Sequence, residues 1–105
     1  MIYGSGAYRY EVVEGWGQMP QLGLVSGVAC DSEDRVYVFN RSPQSAMLVF
    51  ERDGKFLGSW GEDLFKAPHG IWMSPNDEIY TADTEDHTVR KFSLSGELLQ
   101  TLGTV

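Results

Sequence analysis

GVACDSEDRVYVFNR, residues 27–41, returns as GIWMSPNDEIYTADT, residues 70–84. Gly27 falls on Gly70, Tyr37 on Tyr80 and Asn40 on Asp83, each 43 positions further on. Downstream, LVFERDGKFLGSWG (48–61) returns as VRKFSLSGELLQTLG (89–103). Phe50 falls on Phe92, Gly54 on Gly96 and Gly61 on Gly103, now 42 positions apart. One residue has been lost between the second and third apolar runs of the later copy. Self-similarity at a fixed period marks a repeat architecture, in which each copy is one supersecondary unit.

Each copy reads as four short strands. The first is a small-residue and apolar run, residues 28–31 and 71–74, followed by a polar turn. The second alternates, as Val36-Tyr37-Val38-Phe39 and Ile79-Tyr80-Thr81-Ala82. The third spans 47–50 and 89–92, the fourth 56–60 and 98–102. Asp53-Gly54 and Ser95-Gly96 supply the turns before each fourth strand, because glycine takes the positive φ that tight hairpin turns require. No stretch keeps a 3.6-residue apolar period for ten residues without a Gly or Pro break. The chain is expected to be all-β. Four strands at a period near 42 describe one blade of a β-propeller. The expected organisation is an N-terminal lead-in over 1–26, a first blade over 27–62 and a second over 63–105.

Composition narrows the function. Of 105 residues, 42% are hydrophobic and 12% aromatic, enough for a packed core. A net charge of −7 speaks against nucleic acid and against an anionic membrane surface, both of which need a basic face. The longest apolar run, Ala46 to Phe50, is far too short to span a bilayer. The opening Met1-Ile2-Tyr3-Gly4 lacks the basic and apolar regions of a secretion signal, so a cytoplasmic location is expected. The single cysteine, Cys30, excludes an internal disulfide framework and reads as a small buried residue.

Two blades cannot close a ring, which takes roughly four to eight. Three tryptophans, five phenylalanines and five tyrosines are too many to leave on uncovered sheet faces. Identical copies would complete the ring through head-to-tail interfaces, and a homotrimer of six blades is expected. The N-terminal YEVVEGWGQ (10–18) is similar to KFLGSWGE (55–62), and so reads as a surplus fourth strand that closes a neighbouring blade.

The small residue opening each copy, the (Val/Ile)-Tyr strand, its closing Asn or Asp, and the Val-x-x-Phe run resemble the NHL-repeat family. DTEDHTV (83–89) resembles that family's signature segment. More closely, PQLGLVSGVACD, VFNR, LFKAPHG and DTEDHTVRKF resemble the opening third of the peptidyl-α-hydroxyglycine α-amidating lyases. The resemblance implies a six-bladed propeller that splits the carbinolamide of a hydroxyglycine into an amide and glyoxylate. It implies that His69, in the Pro-His-Gly corner, is a zinc ligand, and that the backbone carbonyls of Val28 and Ile71 hold calcium. It implies that Arg41 faces the substrate, a small peptide-like or carboxylate-bearing ligand.

The internal repeat adds one observation. Ser26 occupies the place of His69 on the first blade, and Thr84 the place of Arg41 on the second. The copies match in their core and differ at the rim. Three chains around one axis would present His69 on alternate blades, and three imidazoles with an open fourth position suit a catalytic zinc. The sequence departs from the lyase pattern at its base: Ser42 and Glu85 stand at the rim where that family has a tyrosine on a later blade. Ala67 stands where a methionine precedes a later zinc histidine. Two other readings stay open: a non-catalytic NHL platform that binds peptides without metal, and a minimal oligomeric propeller whose metal only staples the axis. His69 as a plain turn residue and Arg41 as half of a rim ion pair are the structural alternatives. His87 reads as a turn residue, and DSEDR and DTEDH as solvated turns, since neither has the glycine and terminal Glu of an EF-hand.

Overall fold

The computed structural model describes residues 1–20, 22–42 and 44–104. Ten strands and no helix are present among them. The first two, β1 (Ile2–Ser5) and β2 (Tyr8–Glu11), form an isolated hairpin. Then β3 (Val25–Cys30), β4 (Val36–Asn40), β5 (Met47–Phe50) and β6 (Phe56–Trp60) make one antiparallel sheet in chain order. A second sheet repeats it with β7 (Pro68–Met73), β8 (Ile79–Asp83), β9 (Thr88–Phe92) and β10 (Leu98–Leu102). Two four-stranded blades therefore stand side by side, as the repeat predicts.

The polar turns close as the copies require. Asp34 and Asp77 occupy the same turn of each blade and both take a positive φ, 62° and 57°. Short acidic side chains tolerate that region better than most. His87 also has a positive φ in an exposed turn, in keeping with its reading as a turn residue.

The blades are joined by an apolar layer. Tyr37, Phe39 and Met47 of the first blade meet Ile79 and Phe92 of the second, with Trp60, Leu64, Phe65, Ile71 and Met73 around them. Phe65 sits edge-on to Phe39 at 4.8 Å and Trp60 lies 4.9 Å from Phe92. Fully burying side chains of this size stabilises by about 1.5–3 kcal/mol each, so the interface is the dominant core. The innermost strands approach closely here: a Cβ on Gly27 would lie 2.8 Å from Ile71 Cγ2.

The outer faces differ from each other. Along β8 the burial alternates, one face covered and one open, and Trp72 on the open side is 58% exposed. Along β4 residues on both faces are buried. The far face of the first blade carries Val38, Leu48 and Phe50 under Trp16, whose ring lies 5.5 Å from that of Phe50. The sequence leads one to expect two bare faces; the lead-in segment covers one of them.

Two further positions differ from expectation. The strand within the lead-in is Tyr8–Glu11, which pairs with Ile2–Ser5 because no open third strand is offered to it. Cys30 is exposed rather than buried. Its equivalent on the second blade, Met73, packs into the layer between blades, whereas the face under Cys30 has no preceding blade against it.

Candidate functional site

Asn40 and Asp83, at the ends of β4 and β8, fasten the chain that leads into each blade. The Gly23 N–H donates to Asn40 Oδ1 at 3.0 Å, and at the equivalent place the Lys66 N–H donates to Asp83 Oδ2 at 2.7 Å. The following residues match as well: the Arg41 N–H donates to the Leu24 carbonyl, and the Thr84 N–H to the Ala67 carbonyl. Asp83 also accepts from the N–H groups of Ala67, Glu85 and Asp86. Burial works to raise its pKa, but these four N–H groups outweigh it and hold the carboxyl below its ordinary value. The repeated Asn/Asp was visible in the sequence; that it is a clamp was not.

The clamp fixes the entry to β7, and the entry contains a β-bulge. Pairing passes from Pro68↔Asp83 to Gly70↔Ala82, so His69 is the inserted residue without a partner on β8. The same irregularity recurs at Val25↔Asn40 and Gly27↔Phe39, with Ser26 as the extra residue. A bulge re-aims a side chain out of the pleat, and such bulges concentrate next to sites. His69 is exposed, while Ser26 turns its hydroxyl back onto the Phe39 carbonyl at 3.2 Å.

Arg41 joins this corner from the other blade. Its Nε donates to the Pro68 carbonyl at 3.2 Å, crossing from the first blade to the residue before His69. Its side chain is exposed and lines an open recess of about 540 Å³ with Ser42, Ser45 and Leu22. The two polar residues singled out in the sequence are thus brought to one rim. Glu85 is exposed on the loop after Asp83, and Ser42 is half-buried beside Arg41.

Val28 and Ile71 lie on β3 and β7, the innermost strands, each paired on one side only. An edge strand leaves alternate carbonyls unpaired, which is the donor type calcium takes. Among the described residues, no three His, Cys, Asp or Glu side chains gather closely enough to hold a metal ion. Among the described residues His69 therefore has no set of side-chain ligands in its own chain, and fits a zinc site only as a contributor of one ligand.

A fourth cluster backs the site. Asp86 accepts from the Thr88 N–H and hydroxyl and pairs with Arg90 at 2.8 Å. Arg90 in turn lies over the Phe65 ring, 5.8 Å from its centre. On the first blade, Asp31 takes a bond from Arg35 Nε and another from the Tyr37 hydroxyl. Burial pushes the Tyr37 phenol up, and the Asp31 hydrogen bond pushes it further.

The family model for the NHL repeat matches residues 65–92, the segment from Phe65 through the clamp to Phe92. The chain carries the NHL repeat. NHL repeat-containing protein 3 of Homo sapiens is 35% identical across 92% of this chain and 30% of its own length. The Mus musculus protein of the same description is 34% identical across 86% of this chain and 29% of its own. Peptidyl-alpha-hydroxyglycine alpha-amidating lyase 1 of Drosophila melanogaster is 28% identical across 72% of this chain and 18% of its own. The chain thus spans less than a third of the length of these relatives. Among the described residues, no helix is long and apolar enough to cross a membrane.

Proposed function

We propose that this chain is a two-blade sector of a closed, six-bladed NHL propeller, completed as a homotrimer, whose His69 rim forms an amidating-lyase-type site. The observation that carries the reading is the His69 bulge with Arg41 bonded to the preceding carbonyl: a lone imidazole and a guanidinium, held together across a blade boundary. The similarity to the Drosophila melanogaster lyase supports it.

In this reading Arg41 grips the substrate carboxylate through its free N–H groups, a geometry that suits planar bidentate binding. His69 from each copy would contribute one ligand to a shared zinc, and the carbonyls of Val28 and Ile71 would contribute to a calcium site. A zinc held there supplies Lewis-acid polarisation of a substrate oxygen. In the reaction the carbinol C–N bond breaks and the hydroxyl proton passes to the departing amide nitrogen, leaving an amide and glyoxylate.

The rim residues favour a second reading in one respect. Ser42 and Glu85, rather than a tyrosine, stand where a base is sought. A non-catalytic NHL platform, binding a carboxylate-bearing peptide through Arg41, needs no base and no metal.

Metal analysis separates the readings. The metal-site reading expects one zinc per three chains, falling below a tenth of that in His69→Ala, and glyoxylate release from an α-hydroxyglycine peptide that chelation abolishes. Peptide binding unaffected by chelation, with no zinc retained, would instead establish the platform.

A further inference from the structure

The lead-in segment sits on the first blade in the place where a preceding blade would set its outermost strand. Trp16-Gly17 is 44 positions before Trp60-Gly61. Trp60 packs on Phe92 and lies over Gly96, where a Cβ would come within 2.7 Å of the indole. Trp16 packs on Phe50, the equivalent of Phe92, and covers Gly54, the equivalent of Gly96. Gly17 and Gly61 share the same backbone turn, with φ of 96° and 90°. The Trp16 seat is further closed by its Nε1 bond to the Arg52 carbonyl and by the Gln18 N–H bond to the Gly54 carbonyl.

In a head-to-tail ring, the residue that would arrive at this seat from a second copy is Leu102, at the end of β10, the counterpart of Trp60. Both cannot fit. The seat holds an indole in both places where it is seen, and leucine would underfill it. Strand β10 is exposed along its whole length, whereas Trp16 is half-buried and hydrogen-bonded. Upstream of Trp16, Val12 and Val13 are 63% and 67% exposed and have no strand to pair with.

We infer that residues 12–16 are exchanged between copies, replacing Leu98–Leu102 as the outermost strand of the second blade of a neighbouring copy. The inference rests on the homotrimer reading above. The register follows from the first blade, where Val49 faces Gly58 and Met47 faces Trp60. Carried over, it sets Glu14 opposite the neighbour's Lys91 and Trp16 opposite its Val89. In the single chain Lys91 faces the neutral Gln100 on β10 and lies 3.8 Å from Glu78 on its other side; exchange adds a carboxylate directly opposite it, a favourable cross-strand pair. Gly15, now at φ 74°, is the point at which the arm turns away, and glycine allows it to straighten.

Two cysteine pairs test this in the full chain with Cys30→Ala. Glu14→Cys with Lys91→Cys is expected to oxidise into disulfide-linked dimers and trimers, and the control Lys91→Cys with Gln100→Cys to remain unlinked within the assembled fraction. Removing residues 97–105 is expected to leave the native mass at three chains, while Trp16→Ala reduces the trimer at least tenfold. Closure of the control pair inside trimers overturns the exchange but leaves the trimer standing. Absence of any cross-link in the first variant does the same. A monomeric wild type overturns both.

Discussion

Arg90→Met is expected to lower the free energy of unfolding by about 3–5 kcal/mol, because it strands a buried carboxylate. Arg90 and Asp86 have side chains only 9% and 2% exposed, and their bond is 2.8 Å long. Burial by itself would raise the Asp86 pKa; the Thr88 and Arg90 bonds and the Arg90 charge outweigh it and keep the carboxyl below its ordinary value. Without Arg90, Asp86 must either stay charged without its cation or take a proton. The loss of the guanidinium from the Phe65 ring adds to the effect. A small domain has roughly 5–15 kcal/mol in total, so much of the stability goes. Combining Arg90→Met with Asp86→Asn removes the stranded charge while keeping an acceptor for Thr88, and should recover more than half of the loss. Urea titration reads both; a loss below about 1 kcal/mol in the single variant would show that the pair is not a buried support.

Asp83→Asn is the second large effect, at about 1–3 kcal/mol. One carboxylate oxygen serves Ala67, Glu85 and Asp86, and the other serves Lys66 in the shortest bond of the set. An amide keeps one acceptor and turns an N–H₂ toward a donor. Asn40 shows what an amide does at this place on the other blade: it accepts from one N–H and donates to the carbonyls of Ser45 and Ala46, whereas Asp83 meets four N–H donors. The pH dependence follows from the same bonds. With its folded pKa depressed, Asp83 contributes stability that is fully present above its unfolded value of about 3.9. That contribution is lost as the pH falls through the folded value. Asp31 and Asp86 shift in the same direction. Stability should therefore hold from neutral pH to about pH 4 and fall steeply below it, and Asp83→Asn should flatten that fall. An unchanged acid transition in the variant would remove the clamp from the account.

Much of the fold was legible because the sequence states it twice. The third strand of the first blade and the fourth strands of both were bounded to the residue by apolar runs and the Gly54 and Gly96 turns. The first strands were not. They begin at Val25 and Pro68, ahead of the expected starts, because a bulge at Ser26 and His69 lets the chain pair before the apolar run begins. A bulge is a property of main-chain register, and only the glycine that follows it in each copy hints at it. The rim residues were found through the resemblance to the amidating lyases, and the internal repeat then showed that each stands in one copy only, histidine against serine and arginine against threonine. Their proximity was not legible, since it depends on a bond from one blade to the next. The likeness of the lead-in to a fourth strand was visible in its Trp-Gly pair, but the structure has no strand around Trp16, and the seat of that residue on Phe50 shows only in the packing.

The native mass of the purified chain at micromolar concentration tests the central claim most directly. A species of three chains, retained on dilution and carrying His69 on every second blade, is the predicted result. A folded, soluble single chain with the Trp72 face open to water would contradict it.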